Sequence, residues 1–319
     1  MNWIETLNHF GNTGRACAFF ISFDKSQTEI FPLESLYEND ILIEFPHFNN
    51  HQQKADLQSI KLISRPVSFE KYQLSFHKVM HHLQRGDSYL VNLTFQTPID
   101  VNSDLFTLFI QSKAKYKIKY QNNWICFSPE TFIQINENQI NTYPMKGTID
   151  ANIPNAEEIL KNNFKEKAEH HTIVDLLRND LSMRAKHVQV KKLMYLEKIS
   201  SLQGEIWQMS SEITGILPKN WPSFLGNLLN EMLPAGSISG APKLKTLQII
   251  QEVENYSRGF YTGIAGVFDG KTLDTCVLIR FIEKTSTGLV YKSGGGITAM
   301  SQAENEYQEL IQKIYVPVY

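Results

Sequence analysis

Apolar and polar residues alternate along six stretches of this chain: "ACAFFISF" (16–23), "SYLVNLTFQT" (88–97), "WICFSPETFIQIN" (124–136), "GIAGVFDG" (263–270), "DTCVLIRFIEK" (274–284) and "GLVYKSGGG" (288–296). A period of two residues marks a strand with one face buried. Between these stretches the period lengthens to 3.6. It does so over 69–85 ("FEKYQLSFHKVMHHLQR"), about 156–180, 221–233 ("WPSFLGNLLNEML"), 241–256 ("APKLKTLQIIQEVENY") and 302–315 ("QAENEYQELIQKIY"). Helices are expected there, the fourth starting at Pro242, whose fixed φ suits a first helical position. Strands interrupted by helical blocks indicate an α+β protein with large, mainly antiparallel sheets. No repeat, heptad or low-complexity tract is present, and nothing resembles a linker. The most loop-like stretch, and a candidate for mobility, is "HFNNHQQKADLQS" (47–59).

Composition narrows the function classes. The 319 residues are 42% hydrophobic and 20% charged, an ordinary globular mixture with ample material for a core. The net charge of −2 offers no basic field to recruit nucleic acid or an anionic membrane. Cys17, Cys126 and Cys276 lie far apart without a CxxC or Cys/His cluster. A disulfide framework or zinc site is therefore not expected, and a reducing, cytoplasmic setting is. The first residues lack a cationic start, and their apolar run is too short for a signal or a membrane span.

Four patterns carry possible chemistry. In "YPMKGTID" (143–150), Pro144 and Gly147 predict a strand running into a tight turn, with Lys146 at its tip. Taken alone, a lysine on a turn is a solvated charge. In "KEKAEHHTIVDLLRNDL", a helix places Glu169 on the stripe of Ile173 and Leu176, where a carboxylate either rims the core beside Arg178 or a lysine, or holds a metal. In "ENEYQELIQK", Glu306 and Glu309 stand three apart on one helical face, with Lys313 a turn further. Such a pair can hold Mg²⁺, although Glu309–Lys313 is equally an ordinary surface pair. The glycine-rich "PAGSISGAPK" and "SGGGITA" can turn backbone N–H groups towards an anion, but neither is a nucleotide-binding fingerprint. No GxCxG, GxSxG or HExxH occurs, so no glutaminase centre is visible.

In order along the chain, "GDSYLVNLT", "SPE" (128–130), "PMKGT", "EHHTIVDLLRNDL", "QMSSEITG", "PAGSISGAPK", "RGFYTGIAG", "LDTCVLIR" and "GGGITA…ENEYQELIQK" resemble the motifs of the chorismate-utilising enzymes. The closest likeness is to their aminodeoxychorismate synthase branch. It covers about residues 67–317, with 1–66 a divergent, shortened part of one domain, 1–319. The resemblance implies two large antiparallel sheets facing one another, helices outside and the active site in the cleft between them.

It also implies roles. Lys146 attacks C2 of chorismate as the C4 hydroxyl departs, and ammonia then enters at C4 and expels the lysine. A nucleophilic lysine must be neutral, so a lowered pKa is expected at Lys146. Glu130 is the implied general acid, with a raised pKa, and Thr148 the contact to the leaving oxygen. Glu169 and Glu309 match Mg²⁺ ligands, with Glu306 beside them. Tyr261, Arg280 and Lys313 match positions that bind the substrate's carboxylates, with Ser239 and the backbone of Gly240, Gly294 and Gly295 completing an anion cradle. Ammonia is expected from a separate glutamine amidotransferase subunit, and the product feeds 4-aminobenzoate and folate synthesis.

Some positions depart from the family pattern. Met145 replaces isoleucine, a volume-conserving change. Leu90 stands where isochorismate synthases place a water-activating lysine, and it cannot activate water. Gln208 occupies a place often held by histidine in anthranilate synthases. Tryptophan feedback is not expected from so short an N-terminal part, nor is pyruvate release without a lyase. The competing readings are amination at C2, as in anthranilate synthase component I, and a chorismate-binding subunit without turnover. Lys146 discriminates the first, since a lysine there would block or divert ammonia at C2.

Overall fold

The computed structural model describes residues 2–52, 58–201 and 204–318. The strand Cys17–Ile21 shows how its layers arise. All five residues are buried, and alternate side chains serve different cores. Phe19 and Ile21 pack on one side with Leu7, Trp221 and Phe268, while Ala18 and Phe20 pack on the other with Tyr120, Trp124 and Phe281. A strand buried on both faces belongs to a sheet sandwiched between two layers. A third cluster, Leu42, Ile125, Phe127, Ile282 and Tyr291 with Leu105, Leu108 and Phe109, lies beyond the second sheet. The layers therefore run helix, sheet, sheet, helix.

Among the described residues each sheet has nine strands, and every pairing is antiparallel. The first runs Met145–Asp150, Gly204–Ile216, Gln139–Thr142, Thr131–Asn136, Leu273–Val277, Ile264–Phe268, Cys17–Ile21 and Thr28–Pro32, with Lys186–Ser201 also paired to Gly204–Ile216. The second runs Gly240–Ala241, Leu90–Val101, Gly288–Ile297, Phe281–Thr285, Trp124–Ser128, Tyr116–Tyr120, Ile41–Phe45 and Phe48–Asn49, with Leu62–Ser64 on Leu90–Val101. The α+β expectation and the two antiparallel sheets agree with this architecture.

Four expectations need correction. "WICFSPETFIQIN" is two strands, Trp124–Ser128 in the second sheet and Thr131–Asn136 in the first. "DTCVLIRFIEK" divides in the same way, at Leu278–Arg280. Alternation continues through both breaks, so periodicity does not reveal that the chain has changed sheets. The helix expected over 156–180 is two, Ala156–Asn162 and Phe164–Ser182, the second capped by the Asn163 side chain. Lys146 is not on a turn tip; it lies inside the strand Met145–Asp150, where the register shifts between Met145 and Thr148.

The pattern also left strands unmarked. Ile41–Phe45 and Tyr116–Tyr120 are buried on both faces, and the long hairpin Lys186–Ser201/Gly204–Ile216 carries mixed polarity. The first 66 residues supply a helix, Trp3–Thr13, and strands to both sheets. The loop expected over 47–59 contains the strand Phe48–Asn49, and its residues 53–57 lie outside the described residues. The three cysteines are buried and free, and no described helix is long and apolar enough to cross a membrane.

Gly240 closes the second sheet beside the cleft. Its φ is +129°, and a Cβ there would lie 1.8 Å from the Leu90 carbonyl oxygen. Gly240→Ala combines forbidden backbone with a clash against main chain, so a loss of about 2–4 kcal/mol is expected. A fall in the urea midpoint at unchanged m-value checks it.

Candidate active site

The two sheet crossings build one wall of the cleft. After Ser128 the chain leaves the second sheet and enters the first at Thr131; after Val277 it makes the reverse passage and re-enters the second at Phe281. The crossings lie side by side and bond to one another's flanking strands. Val277 N–H donates to the Glu130 carbonyl (3.1 Å), and Phe127 N–H donates to the Arg280 carbonyl (3.1 Å). Glu130 and Arg280 are thereby lifted off both sheets and set between them. Burial raises the Glu130 pKa, against the opposing pull of a Ser237 hydroxyl 2.7 Å away and of Arg280, Lys313 and Lys146. Arg280 makes no ion pair among the described residues. Burial opposes its charge, but the nearby Tyr291, Tyr315 and Tyr261 hold it above the ordinary arginine range, and its guanidinium lies 5.4 Å from the centre of the Tyr315 ring. An interior guanidinium without an ion-pair partner has the geometry to take a carboxylate bidentately.

Opposite stands a cluster of acids and lysines. Gly147, at φ +85°, forms the bulge that turns Lys146 inward, and a Cβ there would meet Glu166 Oε2 at 3.0 Å. Lys146 Nζ lies 2.7 Å from Glu169 Oε2. Glu169 is 4% exposed, on the apolar side of its helix with Ile173 and Leu177, whereas Arg178 pairs with Asp175 instead. Lys165, one helical turn before Glu169, reaches Glu306 Oε1 at 3.0 Å and Glu169 Oε1 at 3.8 Å. Glu306, 5% exposed, also accepts from Ser301 (2.7 Å). Lys313 Nζ lies 2.6 Å from Glu309 and donates to the Gly294 carbonyl (2.9 Å). The strand Gly288–Ile297 floors the cluster. A Cβ on Gly295 would lie 3.6–3.7 Å from Glu309 Oε1, Glu306 Oε2 and Lys313 Nζ, and one on Gly296 would lie 3.8 Å from Lys146 Nζ and 3.0 Å from Leu90.

This charge pattern corrects the expectation for Lys146. Burial pushes its pKa down, but the Glu169 and Glu309 carboxylates outweigh burial and hold the ammonium well above the usual lysine range. Glu309 is the reciprocal case: burial raises it, while Lys313, Lys146 and Lys165 pull it down to about 2. Lys313 is lowered by burial, with Arg280 and Lys146 adding to the effect against Glu309.

Among the described residues no three acids, histidines or cysteines are gathered tightly enough to hold an ion as they stand. Lysine ammonium groups are interleaved with Glu169, Glu306 and Glu309 instead. The donor set nevertheless fits a hard cation. All three are carboxylates, and Glu169 Oε1 is buried without a hydrogen-bond partner.

Other expected residues take different parts. Thr148 is exposed beyond the bulge, across from Gln208, and its hydroxyl makes no hydrogen bond among the described residues. The Ser239 hydroxyl is spent on the Ala235 carbonyl (2.8 Å), so it is not free for an anion. Tyr261 is buried against Phe281, where burial raises its phenol. Gly240 and Gly294 serve close backbone approach, to Leu90 and Leu93 respectively. Three contributors escaped the sequence reading. Lys165 carried a signal, its i,i+4 spacing to Glu169. Ser237 lies two residues before Ser239 in "PAGSISGAPK", and nothing local tells the two hydroxyls apart. His170, fully buried behind Lys146, bonds Ser211 Oγ at 2.7 Å and is pushed to about 4 by burial; nothing in its sequence context marks it.

Two facing sheets thus enclose acids, lysines and an arginine without an ion-pair partner among the described residues, the layout of an enzyme cleft. Residues 17–318 match the chorismate binding enzyme family, and the chain belongs to it. The chain is 47% identical to a Haemophilus influenzae protein named "Uncharacterized PabA-like protein", covering 99% of this chain and 97% of that one. It is 33% identical to Escherichia coli aminodeoxychorismate synthase component 1 over 77% of this chain, and the match spans 56% of that relative's length. Among solved structures, anthranilate synthase component I from Streptococcus pneumoniae superposes with a TM-score of 0.66 at 26% identity, over 82% of this chain and 60% of that one. The family match begins at residue 17, well before the residue 67 expected.

Removing the Lys146 ammonium leaves Glu169 buried with only the longer contact to Lys165. Lys146→Met is expected to cost about 1–3 kcal/mol at neutral pH, less than a fully buried pair because Lys165 remains. Burial lowers Lys146, but Glu169 and Glu309 hold it above its unfolded value, so the pair's contribution is fully present at neutral pH and the cost shrinks only as pH rises beyond the ordinary lysine range. Urea titrations at neutral and at strongly alkaline pH measure the difference.

Proposed function

We propose that this chain aminates chorismate at C4, giving 4-amino-4-deoxychorismate for 4-aminobenzoate and folate synthesis, in the cytoplasm and with ammonia from a separate glutamine amidotransferase subunit. One observation carries the reading: an amine, Lys146 Nζ, faces the cleft 2.7 Å from a buried carboxylate, within the electrostatic reach of Glu130. The E. coli relative named aminodeoxychorismate synthase component 1 supports it.

In this reading the substrate carboxylates lie against Arg280 and Lys313. Glu169 Oε2 is the base placed to take the Lys146 proton. The neutral amine attacks C2, the ring diene shifts, the C4–O bond breaks, and the oxygen leaves as water with the proton of Glu130. Ammonia then bonds to C4, the diene shifts back, and the C2–N bond to Lys146 breaks; Glu169 returns its proton to the freed amine, and the new C4 ammonium gives one to Glu130, restoring both groups. The net change is chorismate plus ammonia to aminodeoxychorismate plus water. Glu169, Glu306 and Glu309 would hold Mg²⁺, which when bound would neutralise carboxylate charge and fix the ring carboxylate.

Purified protein given chorismate, Mg²⁺ and an ammonium salt at alkaline pH should form a product that becomes 4-aminobenzoate only after a lyase is added. Lys146→Ala should lose roughly 10²–10⁴ in kcat. Anthranilate as the product, or no turnover even with an amidotransferase, would overturn the proposal.

The pH dependence follows from the general acid. Glu169 takes the Lys146 proton inside the site, so that transfer leaves the proton count unchanged, and Glu130 must be protonated for the oxygen to leave. kcat/KM is therefore expected to fall as pH rises through the Glu130 value. Because burial raises Glu130, that falling limb is expected above the ordinary carboxylate range.

A further inference from the structure

The motif "PAGSISGAPK" is left without a role for its first serine, and the "RNDL" run without one for its aspartate. The fold connects both to Glu130. Gly236–Ser239 forms a single helical turn, too short to bind anything by its dipole. Its Ser237 hydroxyl donates to Glu130 Oε1 at 2.7 Å. Behind the turn, Asp180 near the end of the helix Phe164–Ser182 accepts from Lys243 Nζ (3.0 Å), which also donates to the Met232 carbonyl (2.9 Å). The other Asp180 oxygen is buried against Gly236, where a Cβ would sit 3.2 Å from it. The turn is thus clamped from behind, while Ser239 bonds back to Ala235 and fixes its curl.

We infer that Ser237 is a positioning residue that orients the Glu130 carboxyl, occupying Oε1 as acceptor so that the acid proton rests on Oε2. The assignment rests on the general-acid reading of Glu130. A carboxylic acid has two oxygens and one proton, and without a fixed donor the proton and the rotamer both scatter. The other groups acting on Glu130 are Arg280, Lys313 and Lys146, all cationic, and none is hydrogen-bonded to it among the described residues. Only Ser237 supplies a directional contact. The Asp180–Lys243 clamp gives that contact its rigidity.

Ser237→Ala and Ser237→Thr, with Glu130→Gln beside them, test this in the full chain with Mg²⁺ and ammonium. Ser237→Ala should lower kcat about tenfold, the worth of one lost hydrogen bond to an acid, with KM within about twofold. The kcat/KM limb belonging to Glu130 should move to higher pH, because a donor that stabilised the carboxylate is gone. Ser237→Thr, which keeps a hydroxyl, should restore both. An infrared difference spectrum gives a readout independent of turnover: the Glu130 carbonyl stretch, identified by its loss in Glu130→Gln, should shift upward in Ser237→Ala. An unmoved pH limb and an unmoved stretch in a folded Ser237→Ala, with Glu130→Gln inactive, would overturn this assignment alone. Wild-type turnover in Glu130→Gln would overturn the acid reading and this assignment with it.

Discussion

A charge held between two sheets has little water to stabilise it and must find its counter-charge in the protein. That constraint organises the cleft. Glu169 and Glu306 are almost wholly buried, and the lysines that answer them and Glu309 come from the edge strand Met145–Asp150 and the helices Phe164–Ser182 and, at its end, Ala303–Gln312. Lys146–Glu169 and Lys165–Glu306 therefore act as cross-links between elements, the second across 141 residues of chain, whereas Lys313–Glu309 stays at one helix end. They also explain why Lys146 is held as an ammonium: the carboxylates that would accept a cation are already answered by the protein's own.

The same economy governs the opposite wall. A chain passing between sheets leaves backbone groups without ladder partners, and buried backbone groups must be paired. Two passages laid side by side pair with each other's neighbours, which is why Glu130 and Arg280 face the cleft together. Behind them a dry pair, Arg258 with Glu254, joins the end of the helix Lys243–Val253 to the strand Leu90–Val101. Arg258 donates to the carbonyls of Asn92 and Ile238, and Glu254 accepts from Thr94. The pieces that carry Ser237 and Gly240 are thus anchored to the second sheet independently of any ligand.

Several features were legible along the chain because they are local. The period of two at Cys17–Ile21 and Ile264–Phe268 marks strands, and the 3.6 period over Phe69–Gln84 and Ala303–Gln312 marks helices. Glycine at 147 announces its left-handed φ. Glu169 on an apolar stripe announces a buried carboxylate. The order of motifs implied the two-sheet fold. What stayed hidden is non-local. Thr148 follows Lys146 by two residues, and plain alternation would send both inward; the bulge at Gly147 breaks that alternation. Ser239 and Ser237 are chemically identical, and only their surroundings assign one to Ala235 and the other to Glu130.

The sequence by itself determined many of the elements, the class of fold, and most of the side chains that could bear chemistry, since hydrophobic period, glycine and proline act over a few residues. The tertiary structure alone decided which of those side chains share a cleft, and in what charge state. Lys146, which the proposed nucleophilic role would need neutral, is held protonated by Glu169 and Glu309, the latter 163 positions away along the chain. A pKa is set by the field at one point in space, and that field sums over every element the fold brings there.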